Sequence, residues 1–220
     1  MDRVFAFADH PEIAGHWIAV AIGESKENQR HIGILHRTKD SEPELLHLAW
    51  HCRLKNESVP NYFTLWVAMT VPPARQRSIA AFCRRVWRKN SKKGIPYAFS
   101  NPGQSFDDET GRFLIGPSRF GLTCASFVLA VFDAAGFPLA EYGSWPVDRT
   151  GDREWQEKIV DLLQSRAEPE HITHLRNEIG AVRYRPEEVA ASTALAPPPV
   201  NFIQAEKLGT QILGRLKERF

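Results

Sequence analysis

One largely apolar segment constrains this chain more than any other part of its sequence. It reads GLTCASFVLAVFDAAGFPL and covers residues 121–139. Thr123 is suited to cap a helix at its N-terminus, Gly136 to end that helix, and Pro138 to prevent its continuation. Because the residues between them are apolar on nearly every side, the segment predicts a helix at the centre of a core, which other elements have to surround.

The residues before position 72 supply surrounding elements in the form of strands. Short runs rich in Val, Ile, Leu, Phe and Trp alternate with polar turns such as GESKENQR and RTKDSEP. The predicted strands are Val4–Ala8, His16–Gly23, His31–Arg37, Glu44–Leu54 and Tyr62–Val71. In the fourth strand Cys52 shares the apolar parity of Leu48 and Trp50, which predicts a core position for its thiol.

The composition is that of a globular domain with an attached tail. The chain has 220 residues, of which 43% are hydrophobic and 25% charged, and these proportions exclude a disordered protein, a collagen-like fibre and a heptad-only coiled coil. No stretch approaches the roughly 18 uninterrupted apolar residues of a membrane span. The opening MDRVFAFADH does not resemble a secretory signal, so we expect a cytoplasmic protein or an effector exported without a signal peptide.

The sequence predicts three consecutive parts. Residues 1–192 are expected to form the main domain, which ends with a charged helix at Asp152–Arg166 and a mixed segment. Residues 193–201 contain three consecutive prolines and predict a stiff linker. Residues 202–220 predict an amphipathic helix, whose apolar positions are Ile203, Leu208, Ile212, Leu216 and Phe220.

A second predicted helix begins at Pro72 and Pro73 and carries most of the chain's charge asymmetry. It has eight basic residues and no acidic one between positions 74 and 94, although the net charge of the whole chain is only +2. Its apolar positions predict a buried face and an inert thiol at Cys83: Ile79, Phe82, Cys83, Val86 and Trp87. The basic face (residues 75–93) is either solvated or binds an acidic partner, and we do not expect that partner to be nucleic acid.

Cys124 differs from the other two cysteines because it lies in the first turn of the apolar helix. Three scattered cysteines with no C-x-x-C pair indicate neither a disulfide framework nor a zinc ribbon. Unpaired backbone N–H groups and the helix dipole favour an anion at a helix start, so we expect a lowered thiol pKa and a nucleophilic sulfur. The alternative interpretation is that Cys124 is a small residue that fits a tight helix start.

Two histidines precede this cysteine on neighbouring predicted strands. His31 opens one strand in the string HIGIL, and His47 lies in the next strand in LLHLAWH. If the strands form a hairpin, both imidazoles lie on one face of the sheet, and the helix that starts at Cys124 can pack against them.

The order of these elements resembles the circularly permuted NlpC/P60 proteins, a group of papain-like cysteine hydrolases that includes the lecithin:retinol acyltransferase-like enzymes. The matching strings are RHIGIL (30–35), ELLHLA (44–49) and GLTCASFVLAVFDAAGFPL (121–139). RYRPEEVAAS (183–192) is also similar to the Pro-acidic segment that often follows the catalytic helix in bacterial members. The resemblance covers about residues 16–192.

The resemblance implies an α+β papain-like fold, in which a small antiparallel sheet packs on the central helix that carries the cysteine. It also implies a triad in which Cys124 is the nucleophile, His31 the general base and His47 the residue that orients the His31 ring. HWIAVAIG (16–23) resembles the family's first strand as well, so His16 competes for the role of base. His51 shares the face of His47 and is an alternative orienting residue. The turn HRTKDSEPE is longer and more charged than the short Gly turn typical of the family.

The function implied is that of a cysteine amidase or peptidase, which would cleave an amide or isopeptide-type bond in a peptide-like substrate without a metal or organic cofactor. The alternatives are a lipid acyltransferase or phospholipase of the same fold, and a non-catalytic module that binds protein or nucleic acid through residues 75–93. HLAWH lacks the glutamate of a zinc-protease helix, and His171 and His174 predict a solvated pair. The sequence contains no G-x-S-x-G, P-loop or G-x-G-x-x-G motif.

Overall fold

A computed structural model describes residues 2–11, 13, 15–25, 29–39, 41–99, 102–114, 120–195 and 197–218. Over these residues the fold is α+β, with one six-stranded antiparallel sheet and six α-helices. The strands are β1 (Val4–Ala6), β2 (Ile18–Ser25), β3 (Gln29–His36), β4 (Glu44–Trp50), β5 (Arg53–Glu57) and β6 (Phe63–Ala68). The helices are α1 (Pro73–Asn90), α2 (Cys124–Ala134), α3 (Asp152–Leu163), α4 (Pro169–Asn177), α5 (Pro186–Ala194) and α6 (Phe202–Lys217).

The sheet has the strand order β1-β6-β2-β3-β4-β5, and its two faces bury different clusters. On one face, side chains such as Ile32, Ile34 and Leu46 pack with α2 in the main hydrophobic core. On the other face, a smaller cluster forms around Leu35 and Trp66. The alternation of side chains along each strand separates the two sets, and only the first set contacts the central helix.

The central helix forms as its sequence predicts. The Ser126 N–H donates to the Thr123 hydroxyl at 3.1 Å, and the Thr123 N–H donates to the Ser126 hydroxyl at 2.8 Å, which caps the N-terminus of α2. Nine of the eleven helical residues are buried. Gly136 follows the C-cap with φ of +69°, a conformation that a residue with a Cβ rarely adopts.

The segment predicted as a single strand from Glu44 to Leu54 is two strands joined by a tight turn. β4 ends at Trp50 and β5 begins at Arg53, and Cys52 lies in the turn with φ of +53°. The prediction that Cys52 is a core residue is therefore wrong, since its side chain is exposed. In the sequence, apolar residues continue to alternate through the turn, from Leu48 to Leu54. The alternation alone therefore did not reveal that the chain reverses direction there.

The C-terminal helix packs against the rest of the fold. Ala205, Ile212 and Leu216 of α6 are buried in the main core. A Cβ at Gly209 would lie 3.3 Å from the Glu187 backbone, so the glycine allows α6 to approach α5 closely. Within the predicted linker, Val200 pairs with Ala140 in an isolated parallel bridge. Phe220, the last predicted apolar position, lies outside the described residues.

Helix α1 buries the predicted apolar face, including Cys83, whereas Trp87 is only half-buried. Within the described part of the chain, none of the eight basic residues between positions 74 and 94 forms an ion pair. Some of them have other contacts, as when the Arg85 guanidinium lies 5.2 Å from the centre of the Phe82 ring. None of the described helices combines the length and the apolar character needed to cross a membrane.

The different positions of Cys52 and Cys83 predict different reactivity. Cys83 is completely buried, and burial raises the pKa of its thiol to about 12, whereas Cys52 is exposed. Iodoacetamide at neutral pH should label Cys52 in the folded protein and Cys83 only after unfolding. Peptide mapping with and without denaturant measures this, and equal labelling of the two thiols in the folded protein would contradict the described packing.

Candidate active site

The strands that carry the two predicted histidines separate beside the start of α2. Within the described strands, β3 and β4 pair at three positions only, which are Ile34 to His36 on β3 and Glu44 to Leu46 on β4. His31 and His47 lie beyond these pairs, where the two described strands are no longer paired. The first residue of α2, Cys124, lines a cavity of about 510 Å³ together with His31. The predicted nucleophile and the predicted base therefore both line this cavity.

The cavity has a size that suits a small molecule or a short segment of a larger substrate. Aromatic and basic side chains form much of its wall. The aromatic residues are Trp50, Tyr62, Tyr97, Trp155 and Tyr184, and the basic residues besides His31 are Arg30, Lys158 and Arg183. No carboxylate of the described residues lines it.

The two histidines contact each other directly, as the hairpin model requires, and both rings lie beside Phe63 of the smaller cluster rather than in the main core that α2 contacts. His31 Nε2 lies 2.8 Å from His47 Nδ1, and the His47 ring is completely buried. Gly33 makes this contact possible, because a Cβ at that position would lie 2.8 Å from the His47 Cβ. The glycine of the HIGIL string therefore leaves space for the second imidazole beside the first.

Glu57 extends this contact into a chain of three side chains, and the sequence interpretation missed it. Its Oε1 lies 3.1 Å from His47 Nε2, and Lys55 Nζ lies 3.0 Å from each carboxylate oxygen. Burial alone would raise the pKa of Glu57, but hydrogen bonds from Lys55 and His47 lower it overall. Glu57 is therefore an ionised acceptor at neutral pH.

The chain from Glu57 determines where each imidazole carries its proton. An ionised carboxylate only accepts hydrogen bonds, so neutral His47 must donate from Nε2 and accept at Nδ1. His31 must then donate from its own Nε2, which leaves a lone pair on Nδ1. The hydrogen bonds thus select the tautomer of His31 whose Nδ1 can accept a proton.

Burial keeps both the His31 ring and the Cys124 thiol neutral at neutral pH. It lowers the pKa of His31 to about 3, with further lowering from the charges of His47 and Lys55. Burial also raises the pKa of Cys124 to about 11. The expected lowering of the thiol pKa at the helix start is therefore wrong, because desolvation of the thiolate outweighs the opposing effects. Those effects come from the N–H groups of Ile32 and Ala125 and from the charge of Arg183.

The alternative histidines lie away from the cavity. His16 packs against Trp66 at 5.9 Å between ring centres. His51 lies beyond the end of β4, accepts a hydrogen bond from the Tyr97 N–H at 3.3 Å and contacts His171 at 4.7 Å. Neither ring lines the cavity that contains Cys124. The expected common face of His47 and His51 is lost because the strand ends between them.

His171 and His174, predicted as a solvated pair, are each half-buried and have separate partners. His171 donates from Nε2 to the Tyr97 carbonyl at 2.8 Å, and His174 stacks on Phe120 at 3.8 Å. The first four residues of the HLAWH string (47–50) lie on β4, and His51 lies in the turn that follows. Among the described residues no group of three or more His, Cys, Asp and Glu side chains is placed to hold a metal ion.

Comparisons of the chain with protein-family models, with curated proteins and with solved structures found no match. The resemblance to the NlpC/P60 proteins therefore depends on the sequence motifs alone, and the candidate site depends on the geometry described above.

The neutral state of buried His31 predicts a loss of stability in acid. Between pH 6.5 and about 3 the unfolded chain binds a proton at this histidine and the folded chain does not, so folding becomes less favourable as the pH falls through this range. One such group contributes up to about 1.4 kcal/mol per pH unit. Urea unfolding from pH 7 to 4.5 should show a shallower pH dependence for His31→Asn than for wild type.

His10→Asn is the matched control, because His10 is exposed and outside the site. Its unfolding free energy should follow the wild-type pH dependence. Parallel curves for wild type and His31→Asn would show that His31 does not remain neutral in the folded protein.

Proposed function

We propose that this protein is a cysteine amidase or peptidase that cleaves an amide or isopeptide-type bond through a thioester on Cys124. The observation that supports this most strongly is the hydrogen-bonded chain from Glu57 through His47 to His31, which ends in the cavity lined by the thiol. A nucleophile, a base and groups that orient the base are the parts that acyl transfer by a thiol needs.

The first half of the reaction forms the thioester. The Cys124 sulfur attacks the carbonyl carbon while His31 Nδ1 takes the thiol proton. The protonated His31 then gives this proton to the leaving amine as the carbon–nitrogen bond breaks. In the second half, His31 removes a proton from water, the water oxygen attacks the thioester, and the sulfur leaves and regains the proton.

The proton moves during the attack, because both groups are neutral beforehand. The pKa values of about 11 for Cys124 and about 3 for His31 disfavour a thiolate–imidazolium pair before a substrate binds. The imidazolium that forms donates from Nε2 to His47, which donates in turn to the Glu57 carboxylate. The negative charge at the end of this chain stabilises the positive charge on His31 when it appears.

Helix α2 supplies donors for the oxyanion of the tetrahedral intermediate. The N–H of Ser126 donates to the Thr123 hydroxyl, and the N–H of Phe127 donates to the Thr123 carbonyl. The N–H groups of Cys124 and Ala125 have no partner within the helix, as is general for the first turn. Both N–H groups lower the pKa of the Cys124 thiol in the free protein. In the tetrahedral intermediate the sulfur is covalently bound and uncharged, so they can donate to the oxyanion, and the dipole of α2 favours a negative charge at this end.

The proposal predicts that Cys124 is acylated and that this requires His31. In a Cys52→Ser background, p-nitrophenyl acetate should place an acetyl group on Cys124, detected by mass spectrometry of the intact protein and its peptides. His31→Ala should slow this acylation by about 100-fold or more, and His47→Ala should slow it less, since orientation is partly recoverable and proton transfer is not. Cys124→Ala should abolish it without unfolding the protein.

Cys83→Ala is the control for the loss of a thiol in the core, and it should acylate normally despite a lower stability. An unchanged acylation rate in His31→Ala would assign the base to another group and contradict the proposal.

Glu57 is a positioning residue in this scheme, so its replacement should alter the pH dependence as well as the rate. Glu57→Gln removes the carboxylate that fixes the tautomer of His47, and we expect acylation of Cys124 to slow by about tenfold with a changed pH–rate profile. The control is Glu44→Gln, at the start of the neighbouring strand β4. It removes one carboxylate that is not part of the hydrogen-bonded series Glu57–His47–His31, so it should leave the acylation rate and the pH–rate profile unchanged. A normal rate and profile in a folded Glu57→Gln variant would contradict the assigned role.

A further inference from the structure

Three cations from separate elements converge on the cavity that holds the thiol. Arg30 lies on β3 immediately before His31, Lys158 lies on α3, and Arg183 precedes α5. The described lining contains no carboxylate to balance them. The proposed catalytic roles do not require any of these three charges.

Two buried carboxylates form ion pairs with Arg30 and Arg183. Arg30 Nε lies 2.9 Å from Glu187 Oε2, and Arg183 Nη1 lies 3.1 Å from Asp152 Oδ1. The side chains of Glu187 and Asp152 are only 4% and 3% exposed, whereas that of Arg30 is 27% exposed. No described residue bonds to Nη1 or Nη2 of Arg30. Its ion pair therefore leaves these donors available to the cavity.

The buried carboxylates do not neutralise the arginines that surround them. The Arg30–Glu187 pair and a neighbouring ion-paired cluster together contain four guanidiniums and three carboxylates: Arg30, Arg149, Arg183, Arg185, Asp152, Glu187 and Glu188. One positive charge is thus in excess before Lys158, which has no ion pair among the described residues, is counted.

This excess charge lies beside the reacting sulfur. The Arg183 guanidinium is stacked on the Trp155 ring at 3.9 Å, which fixes its plane. Its charge reaches Cys124, where it opposes the rise of the thiol pKa. Burial lowers the pKa of Arg183, and the like charges of Arg185 and Arg30 add to the lowering.

We propose that the substrate carries an oxyanion, either a carboxylate or a phosphate, close to the bond that Cys124 attacks, and that Arg30 and Arg183 bind it. This inference rests on the proposed hydrolase function. Guanidiniums bind both groups with paired hydrogen bonds, and an anion between two like charges removes their mutual repulsion. Lys158 adds a third positive charge at an exposed position of the cavity wall.

Two alkylating probes that differ mainly in charge test the proposal without a known substrate. Iodoacetate and iodoacetamide both react by attack of the thiolate on carbon with loss of iodide, so their rate ratio does not depend on the thiol pKa. In a Cys52→Ser background, the ratio of iodoacetate to iodoacetamide alkylation at Cys124 should exceed that of N-acetylcysteine by about tenfold. Arg30→Gln should lower the ratio about threefold or more.

Two further variants separate local recognition from the overall charge and from misfolding. Lys158 is exposed, so Lys158→Gln should leave the fold intact and lower the ratio about twofold. Arg37→Gln removes one positive charge just beyond the other end of β3, outside the cavity, and should leave the ratio unchanged. Equal reductions in Arg37→Gln and Arg30→Gln would overturn the proposal, because they would reflect only net charge.

Protection of Cys124 against iodoacetamide distinguishes the two sources of the oxyanion. Acetyl-glutamate amide is compared with acetyl-glutamine amide, and glycerol 3-phosphate with glycerol. Protection by one of the anions and not by its neutral partner supports the proposal and identifies a carboxylate or a phosphate. Protection by neither anion overturns it.

The results also separate this inference from the proposed function. One outcome is that Cys124 is acylated in a His31-dependent manner but shows the same probe ratio as N-acetylcysteine. This would support the hydrolase proposal and contradict the proposal of an anionic substrate. The opposite outcome is a high probe ratio that falls in Arg30→Gln, together with no acylation of Cys124. This would support the anion-binding site and contradict the hydrolase proposal. A Cys124 that reacts with neither probe would overturn both.

Discussion

The separation of β3 from β4 beyond their three paired positions is the constraint on which the rest of the site depends. It allows the first turn of α2 to reach the sheet, so that the Ile32 N–H lies within hydrogen-bonding reach of the Cys124 sulfur. Across the opening, a side-chain hydrogen bond between His31 and His47 takes the place of backbone pairing. Gly33 allows this bond because it leaves the volume beside the His47 side chain empty.

The same burial that assembles the site also determines its resting charge. Removing water disfavours the thiolate and the imidazolium together, so the pKa of Cys124 rises while that of His31 falls. A helix N-terminus and a nearby guanidinium only reduce this penalty for the sulfur. The proposed reaction therefore depends on groups that stabilise charge as it forms, namely the Glu57 carboxylate at one end and the first N–H groups of α2 at the other.

The sequence predicts those parts of the site that local patterns encode. Thr123, Gly136 and the apolar residues between them specify α2 and the position of Cys124 at its start, because caps and periodicity act over a few residues. The turn at Cys52 was missed because the apolar alternation runs through it. Glu57 was missed because the unpredicted turn at Cys52 is what brings it back to His47, and Arg183 was missed because its partner Asp152 lies 31 residues away in the sequence.

The most direct test of this account is ¹⁵N NMR of the imidazole nitrogens of His31 and His47 at neutral pH. The account predicts that both rings are neutral, with the proton on Nε2 and a lone pair on Nδ1, and that a coupling crosses the hydrogen bond from His31 Nε2 to His47 Nδ1. In Glu57→Gln the carboxylate acceptor is lost, so the two rings should no longer both carry the proton on Nε2. A protonated His31 Nδ1 in the wild-type protein, either as the other tautomer or as an imidazolium, would contradict the account, because His31 would then have no lone pair to accept the thiol proton.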